Sequence, residues 1–106
     1  IRQDKIDILV DMQGHTRGAR LEILAQRPAP IQLHYLGYPG SLGAPFIDYL
    51  IADEYVIPAS QARHFTEKIL YLPGCYLVHD SQDQPSLGMQ QRSGHGLPQD
   101  TFVLCA

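Results

Sequence analysis

Two apolar, β-branched segments separated by a helical pattern constrain the fold of this chain more than any other feature. Residues 6–10 and 31–35 have the composition of buried strands, and turn-forming residues follow each of them. Between the strands the spacing predicts a helix, with Thr16 as its N-cap and an end at Arg27, which precedes a proline. A strand, helix and strand within about 30 residues form a crossover that requires a parallel sheet. The sequence therefore predicts an α/β fold.

The rest of the chain continues the same alternation and then becomes polar. Strands are predicted over residues 49–52 and 69–72, with a helix between them that has Pro58 at its first position. Residues 80–98 are rich in Ser, Gln, Gly and Pro and have little apolar periodicity, which is typical of a linker. A last strand is predicted over residues 101–105.

Charge and apolar content exclude several classes of partner. The formal net charge is -3 and the eight Lys and Arg residues are scattered, so we expect no nucleic-acid partner. No apolar run approaches the roughly 20 residues that span a bilayer, so we expect no membrane partner either. Cys75 and Cys105 lie far apart, which fits thiols in a reducing cytoplasm. Because the chain opens with Ile1 and stops inside an apolar run, we expect it to be an internal part of a longer polypeptide.

Two loops that leave the first two strands are the candidate ligand sites, since open parallel sheets bind ligands beyond the carboxyl ends of their strands. The first loop, residues 11–20, carries His15, Thr16 and two arginines before the predicted helix. Free N–H groups at a helix start favour phosphate or hydroxyl recognition, while a plain helix cap with solvated arginines is the alternative. The glycine spacing fits neither a Walker loop nor a dinucleotide-binding fingerprint.

The second loop, residues 36–45, has three glycines and two prolines in ten residues. Glycine lets a backbone approach a ligand closely, and proline stiffens the path of the chain. The alternative is a tight surface turn with Tyr38 packed on the sheet. Composition alone leaves turn and site equally supported.

Other reactive side chains suggest no further site. The remaining histidines have no partner at metal-ligand spacing, and no pair of acidic residues resembles a metal-binding DxD motif, so we expect no metal. His34 in a predicted strand and His64 in a predicted helix are therefore assigned structural or solvated roles. The sequence His-Asp-Ser at residues 79–81 lacks a nucleophile elbow and is assigned to the linker.

Six segments, in this order and spacing, resemble the catalytic region of protein O-GlcNAc transferases and their SPINDLY-type relatives. These segments are ILVDMQGHTRGAR (8–20), RPAPIQ (27–32), LGYPGSLGA (36–44), FIDYLIAD (46–53), EKILYLP (67–73) and GLPQD (96–100). The resemblance implies a two-lobed glycosyltransferase fold of the B type, built from Rossmann-like parallel sheets. Residues 1–79 would then belong to the amino-terminal lobe, 80–98 to an inter-lobe linker, and 99–106 to the first strand of the carboxy-terminal lobe.

The same resemblance implies a reaction and a site. The reaction is inverting, metal-independent transfer of N-acetylglucosamine from UDP-GlcNAc to Ser or Thr hydroxyls of a protein or peptide acceptor, without a cofactor. Leu36, Gly37 and Pro39 would line the pocket of the transferred sugar, with His15 and Thr16 nearby; relatives often carry Tyr where this chain has His15. The resemblance does not identify the catalytic residues. The parent protein would be cytoplasmic, and a tetratricopeptide array in it would support a protein acceptor, although the sequence leaves open whether it has one.

Two other functions compatible with the same fold are an O-fucosyltransferase that uses GDP-fucose and a non-catalytic lobe that binds peptide. We expect the isolated chain to be inactive. The substitution Gly37→Val is expected to block the sugar pocket and to leave the fold intact.

Overall fold

The computed structural model describes residues 1–80, 82 and 91–104. Its elements are β1 (Ile8–Asp11), α1 (Leu21–Leu24), β2 (Ile31–Tyr35), β3 (Tyr49–Ala52), a 3₁₀ helix (Ala59–His64), β4 (Lys68–Tyr71) and a second 3₁₀ helix (Arg92–His95). The four strands form one sheet in the order β1-β2-β3-β4, and every neighbouring pair is parallel. The predicted α/β class and parallel sheet are confirmed.

The strand register places Asp11, His34, Leu50 and Ile69 in one row across the sheet. Two apolar clusters pack on this face. The first consists of Leu24, Leu42, Ala44 and Ile47, and the second of Leu50, Ala52 and Ile57. Since the second loop contributes Leu42 and Ala44 to the first cluster, burial of apolar surface holds this loop against the sheet.

The first strand is less buried than its composition predicts. Ile8 and Val10 point to the opposite face of the sheet, where they are 53 % and 39 % exposed. The prediction that this strand is buried is wrong for one of its two faces, because no element among the described residues covers this side of β1. A run of β-branched residues identifies a strand but does not show which other segments pack against it.

Both predicted helices are shorter than expected. Gly18 has φ +87, in the left-handed region, so the chain enters α1 only at Leu21, and Thr16 is not its N-cap. The second predicted helix is a 3₁₀ helix that follows Pro58. Residues 101–104 contain no strand, and Cys105 lies outside the described residues. Isolated periodicity over one or two turns stabilises a helix weakly, so local backbone constraints decide its length.

Candidate functional site

The two loops lie side by side because β1 and β2 are adjacent parallel strands whose carboxyl ends meet at one edge of the sheet. The backbone of the second loop comes so close to the first that a Cβ atom on Gly37 would lie 2.2 Å from the carbonyl oxygen of Met12. The glycine is therefore required for contact between the loops. The expectation that Gly37→Val would leave the fold intact is wrong, since a side chain would meet backbone before it met a ligand.

Leu36 starts the second loop in an unusual conformation. Its φ is +73, and the N–H of Gly37 donates to the carbonyl of Tyr35 at 3.0 Å, which closes a three-residue γ-turn. A positive φ is rare for a residue with a Cβ atom and costs on the order of 1–3 kcal/mol. The turn directs Gly37 and Pro39 to the surface, where both are exposed.

His15 reaches from the first loop to the second. Its Nε2 lies 3.2 Å from the carbonyl oxygen of Leu42, and its ring meets the Tyr38 ring edge-on with centroids 5.4 Å apart. Thr16 instead donates its hydroxyl to the carbonyl of Gln13 at 2.9 Å, within its own loop. The structure thus brings His15 to the second loop, whereas the hydroxyl of Thr16 serves a turn.

A buried network beneath the loops was missed by the sequence analysis. The carboxylate of Asp11 accepts a hydrogen bond of 2.6 Å from the N–H of Gly14 and lies 3.5 Å from Nδ1 of His34. The His34 ring is fully buried, and its Nε2 bonds the carbonyl of Tyr38. Because Asp11 and His34 each lie at or near the carboxyl end of a predicted strand, alignment of the strand ends was the signal that could have paired them.

Glu67, at the entrance of β4, holds the middle of the second loop and was also missed. The side chain is buried, and its two oxygens accept hydrogen bonds of 2.7 Å from the Ser41 hydroxyl and from the N–H of Leu42. Burial by itself would raise the pKa of Glu67. The hydrogen bonds from Ser41, its own backbone, Leu42 and Thr66 outweigh burial and hold the pKa below its usual value.

Asp53, directly after β3, also holds neighbouring backbone segments through hydrogen bonds to its carboxylate. Its Oδ1 accepts from the N–H groups of Tyr55 and Val56, and its Oδ2 accepts from the N–H of Tyr76 at 2.7 Å. The N–H of Val56, followed by that of Tyr76, lowers the pKa of this carboxyl against the effect of burial. The carboxylate thus ties residues after β4 to the carboxyl edge of the sheet.

The helix-based phosphate site considered for the first loop is not supported. Helix α1 has four residues, too few to present a substantial dipole at its start. The guanidinium of Arg20 forms an ion pair with Glu22, with 2.5 Å between Nε and Oε1. This pair neutralises part of the positive charge of the loop.

Over residues 1–80, 82 and 91–104, no three His, Cys, Asp or Glu side chains are grouped so that they could hold a metal ion. No helix within the described residues is long and apolar enough to cross a membrane.

Comparisons with known proteins agree with the segments singled out in the sequence. The model of glycosyl transferase family 41 matches residues 1–93. A probable UDP-N-acetylglucosamine–peptide N-acetylglucosaminyltransferase, SEC, of Arabidopsis thaliana is 48 % identical over 97 % of this chain. The UDP-N-acetylglucosamine–peptide N-acetylglucosaminyltransferase of Caenorhabditis elegans is 51 % identical over 76 % of it, and the Arabidopsis thaliana SPINDLY protein is 42 % identical over 74 %.

A solved structure gives the same result for the fold. A mutant of the O-GlcNAc transferase of Thermobaculum terrenum matches 71 % of this chain with a TM-score of 0.68 and 37 % identity. The predicted Rossmann-like, B-type glycosyltransferase architecture is confirmed. The chain spans 11 % of the length of the SEC protein and 14 % of the Thermobaculum chain.

Proposed function

The chain belongs to glycosyl transferase family 41, and on that premise we propose that it forms one wall of the donor-sugar site in a protein O-GlcNAc transferase. The enzyme would transfer N-acetylglucosamine from UDP-GlcNAc to Ser or Thr hydroxyls of a protein acceptor. The names of the SEC and Caenorhabditis elegans relatives carry this activity and support the choice of donor.

The observation that carries the proposal is the direct contact between the two loops at the carboxyl edge of the sheet. This edge is where open α/β proteins bind their ligands. Gly37 and Pro39 are exposed there, and His15 is bonded to the same loop, so backbone and ring atoms are available to a sugar. The wall would consist of Leu36, Gly37 and Pro39, with His15 and Thr16 beside it.

The proposed wall is held in place by side chains from two strands of the sheet and their ends. His34 bonds the carbonyl of Tyr38 near the start of the second loop, and Glu67 bonds Ser41 and Leu42 in its middle. A rigid wall suits inverting transfer, in which the acceptor oxygen attacks the anomeric carbon while the bond to UDP breaks on the opposite side. Such in-line displacement depends on the orientation of the sugar.

The departing diphosphate needs fixed positive charge or dipoles. Arg20 is already paired with Glu22, and α1 is too short to supply a strong dipole. We therefore assign stabilisation of the leaving group mainly to segments of the enzyme outside the described part of this chain. From the family resemblance, we also propose that transfer requires neither a metal ion nor a cofactor.

The test uses the full polypeptide that carries this chain, a peptide rich in Ser and Thr, and two labelled donors. We expect transfer from UDP-GlcNAc with inversion at the anomeric carbon, no transfer from GDP-fucose, and the same rate in EDTA. Transfer from GDP-fucose alone would instead support the O-fucosyltransferase. Peptide binding without transfer from either donor would support a non-catalytic lobe, and loss of activity in EDTA would contradict metal independence.

The isolated 106-residue chain is the matching control. We expect it to be inactive, because the described residues supply one wall of the proposed site and stabilisation of the leaving diphosphate is assigned to other segments of the enzyme. Turnover of UDP-GlcNAc by the isolated chain would contradict the assignment of leaving-group stabilisation to other segments.

We propose a cytoplasmic location for the parent protein. Support comes from the free and exposed thiol of Cys75, since such thiols persist in reducing compartments. Cell fractionation with a tagged parent protein tests this, and recovery from an oxidising compartment would contradict it.

A further inference from the structure

We propose that His34 is a positioning residue that couples the two loops, so that the proposed sugar wall keeps its shape only while this imidazole is in place. The inference rests on the proposed function for its kinetic consequence. The coupling itself follows from the contacts around the ring and can be measured separately.

The first contact fixes the ring to the second loop. His34 is fully buried within β2, and its Nε2 bonds the backbone carbonyl of Tyr38. A carbonyl oxygen only accepts hydrogen bonds, so Nε2 carries the hydrogen. The bond joins residues on either side of the γ-turn at Leu36 and therefore stabilises this strained turn.

The second set of contacts fixes the ring to the first loop. Nδ1 lies 3.5 Å from the Asp11 carboxylate and has no hydrogen-bond partner among the described residues, so packing rather than a hydrogen bond holds this side of the ring. The same carboxylate accepts from the N–H of Gly14 at 2.6 Å. A Cβ atom on Gly14 would lie 2.7 Å from Cε1 of His34, so the backbone of the first loop rests directly on the ring.

The packing of Gly14 against the ring and the hydrogen bond from the ring to Tyr38 connect the two loops through His34. Neither loop can shift without moving the ring, because the ring packs tightly against the first loop and donates a hydrogen bond to the second. The ring is buried beneath the loops, whereas Gly37 and Pro39 face solvent. His34 therefore acts on the sugar through the second loop and does not touch the reacting atoms.

The test compares His34→Met, which removes the hydrogen-bonding nitrogens, with His34→Gln, whose amide can donate to the Tyr38 carbonyl in place of Nε2. Both are made in the full polypeptide. His64→Met, a change of an exposed histidine on the first 3₁₀ helix, is the control. In His34→Met we expect kcat to fall by about tenfold to a hundredfold, with KM for the acceptor peptide within about twofold, since a misplaced wall misaligns the sugar alone. His34→Gln should recover most of kcat.

Amide hydrogen exchange reports the coupling without any donor. In His34→Met the amides of Gly14 and Gly37 should exchange at least about tenfold faster, because the two loops then open independently. The amide of Leu42, which Glu67 holds, serves as the internal reference and should change little. Both rates should stay at the wild-type value in His64→Met.

Each outcome decides the inference. Rescue by His34→Gln together with faster exchange confined to the two loops supports it. Wild-type kcat and exchange in His34→Met overturn it, and so does an equal loss in both variants with faster exchange throughout the sheet, which would make His34 a packing residue only. If the wild-type enzyme uses neither donor, the proposed function fails and the exchange rates alone decide the coupling.

Discussion

Replacing Gly37 with alanine adds one methyl group at the closest approach between the two loops. The new Cβ would lie 2.2 Å from the carbonyl oxygen of Met12 and 3.2 Å from Cα of Gln13. Both atoms belong to backbone, so no side chain can rotate away. Since an ordinary contact between non-bonded heavy atoms is about 3.5 Å, relieving the 2.2 Å approach would require the loops to separate by about 1.3 Å.

Two opposing effects set the magnitude. Gly37 does not have a positive φ, so alanine would stabilise the chain by about 0.4–1 kcal/mol through the unfolded state if there were space for it. Overpacking costs about 1–3 kcal/mol and exceeds this gain. We expect the free energy of local opening of the loops to fall by about 1–2 kcal/mol and kcat/KM for UDP-GlcNAc to fall by about tenfold to a hundredfold.

The assay is amide hydrogen exchange of residues 11–20 and 36–45 in the full polypeptide, combined with donor kinetics. Gly94→Ala is the matched control, because the same methyl group there meets no atom within 4 Å. This control should leave exchange and turnover unchanged. If Gly37→Ala exchanges and turns over like the wild type, the contact between the loops is not part of the active protein.

Further predictions concern the anchors and the strained turn. Glu67→Gln leaves one accepting oxygen for three donors, the hydroxyls of Ser41 and Thr66 and the N–H of Leu42. It should weaken closure of the second loop by about 1–2 kcal/mol, measured by amide exchange with the exposed Glu54→Gln as control, and equal exchange rates in both variants would contradict this. Folding lowers the pKa of Glu67 from 4.5 and that of Asp53 from 3.8. Each carboxylate therefore stabilises the folded chain fully when the pH is above its ordinary pKa, and this stabilisation is lost as the pH falls through its lowered pKa. Amide exchange of the second loop, corrected for its intrinsic rate, should therefore be constant from about pH 8 to about pH 5 and accelerate below about pH 4. Acceleration already near pH 6 would show that a different titrating group stabilises the loop. Leu36→Ile keeps the volume but places a β-branched residue at positive φ, so it should speed exchange of the second loop by the equivalent of about 1–2 kcal/mol; an unchanged rate would show that the turn is not strained.

The strands and their parallel arrangement followed from local composition. A short β-branched segment forms a strand in almost any α/β context, and a crossover of about 20 residues leaves no alternative to parallel pairing. The ends of β1 and β4 differ from the predicted ends by one or two residues, because hydrogen bonds to the neighbouring strand decide where a strand stops. The helices were overestimated for a related reason, since Gly18 interrupts the first helix through its backbone conformation.

The candidate loops could be identified from their position after the strands and from their glycines, prolines and polar side chains, and the family segments pointed to the same residues. The sequence by itself thus determined the fold class, and it predicted the edge of the sheet at which a ligand would bind. Only the tertiary structure decided what each residue does there: Gly37 makes room for the backbone of Met12, and Thr16 closes a turn. Asp11, His34 and Glu67 hold the loops because strand register and packing, which act between distant segments, bring them to the same place.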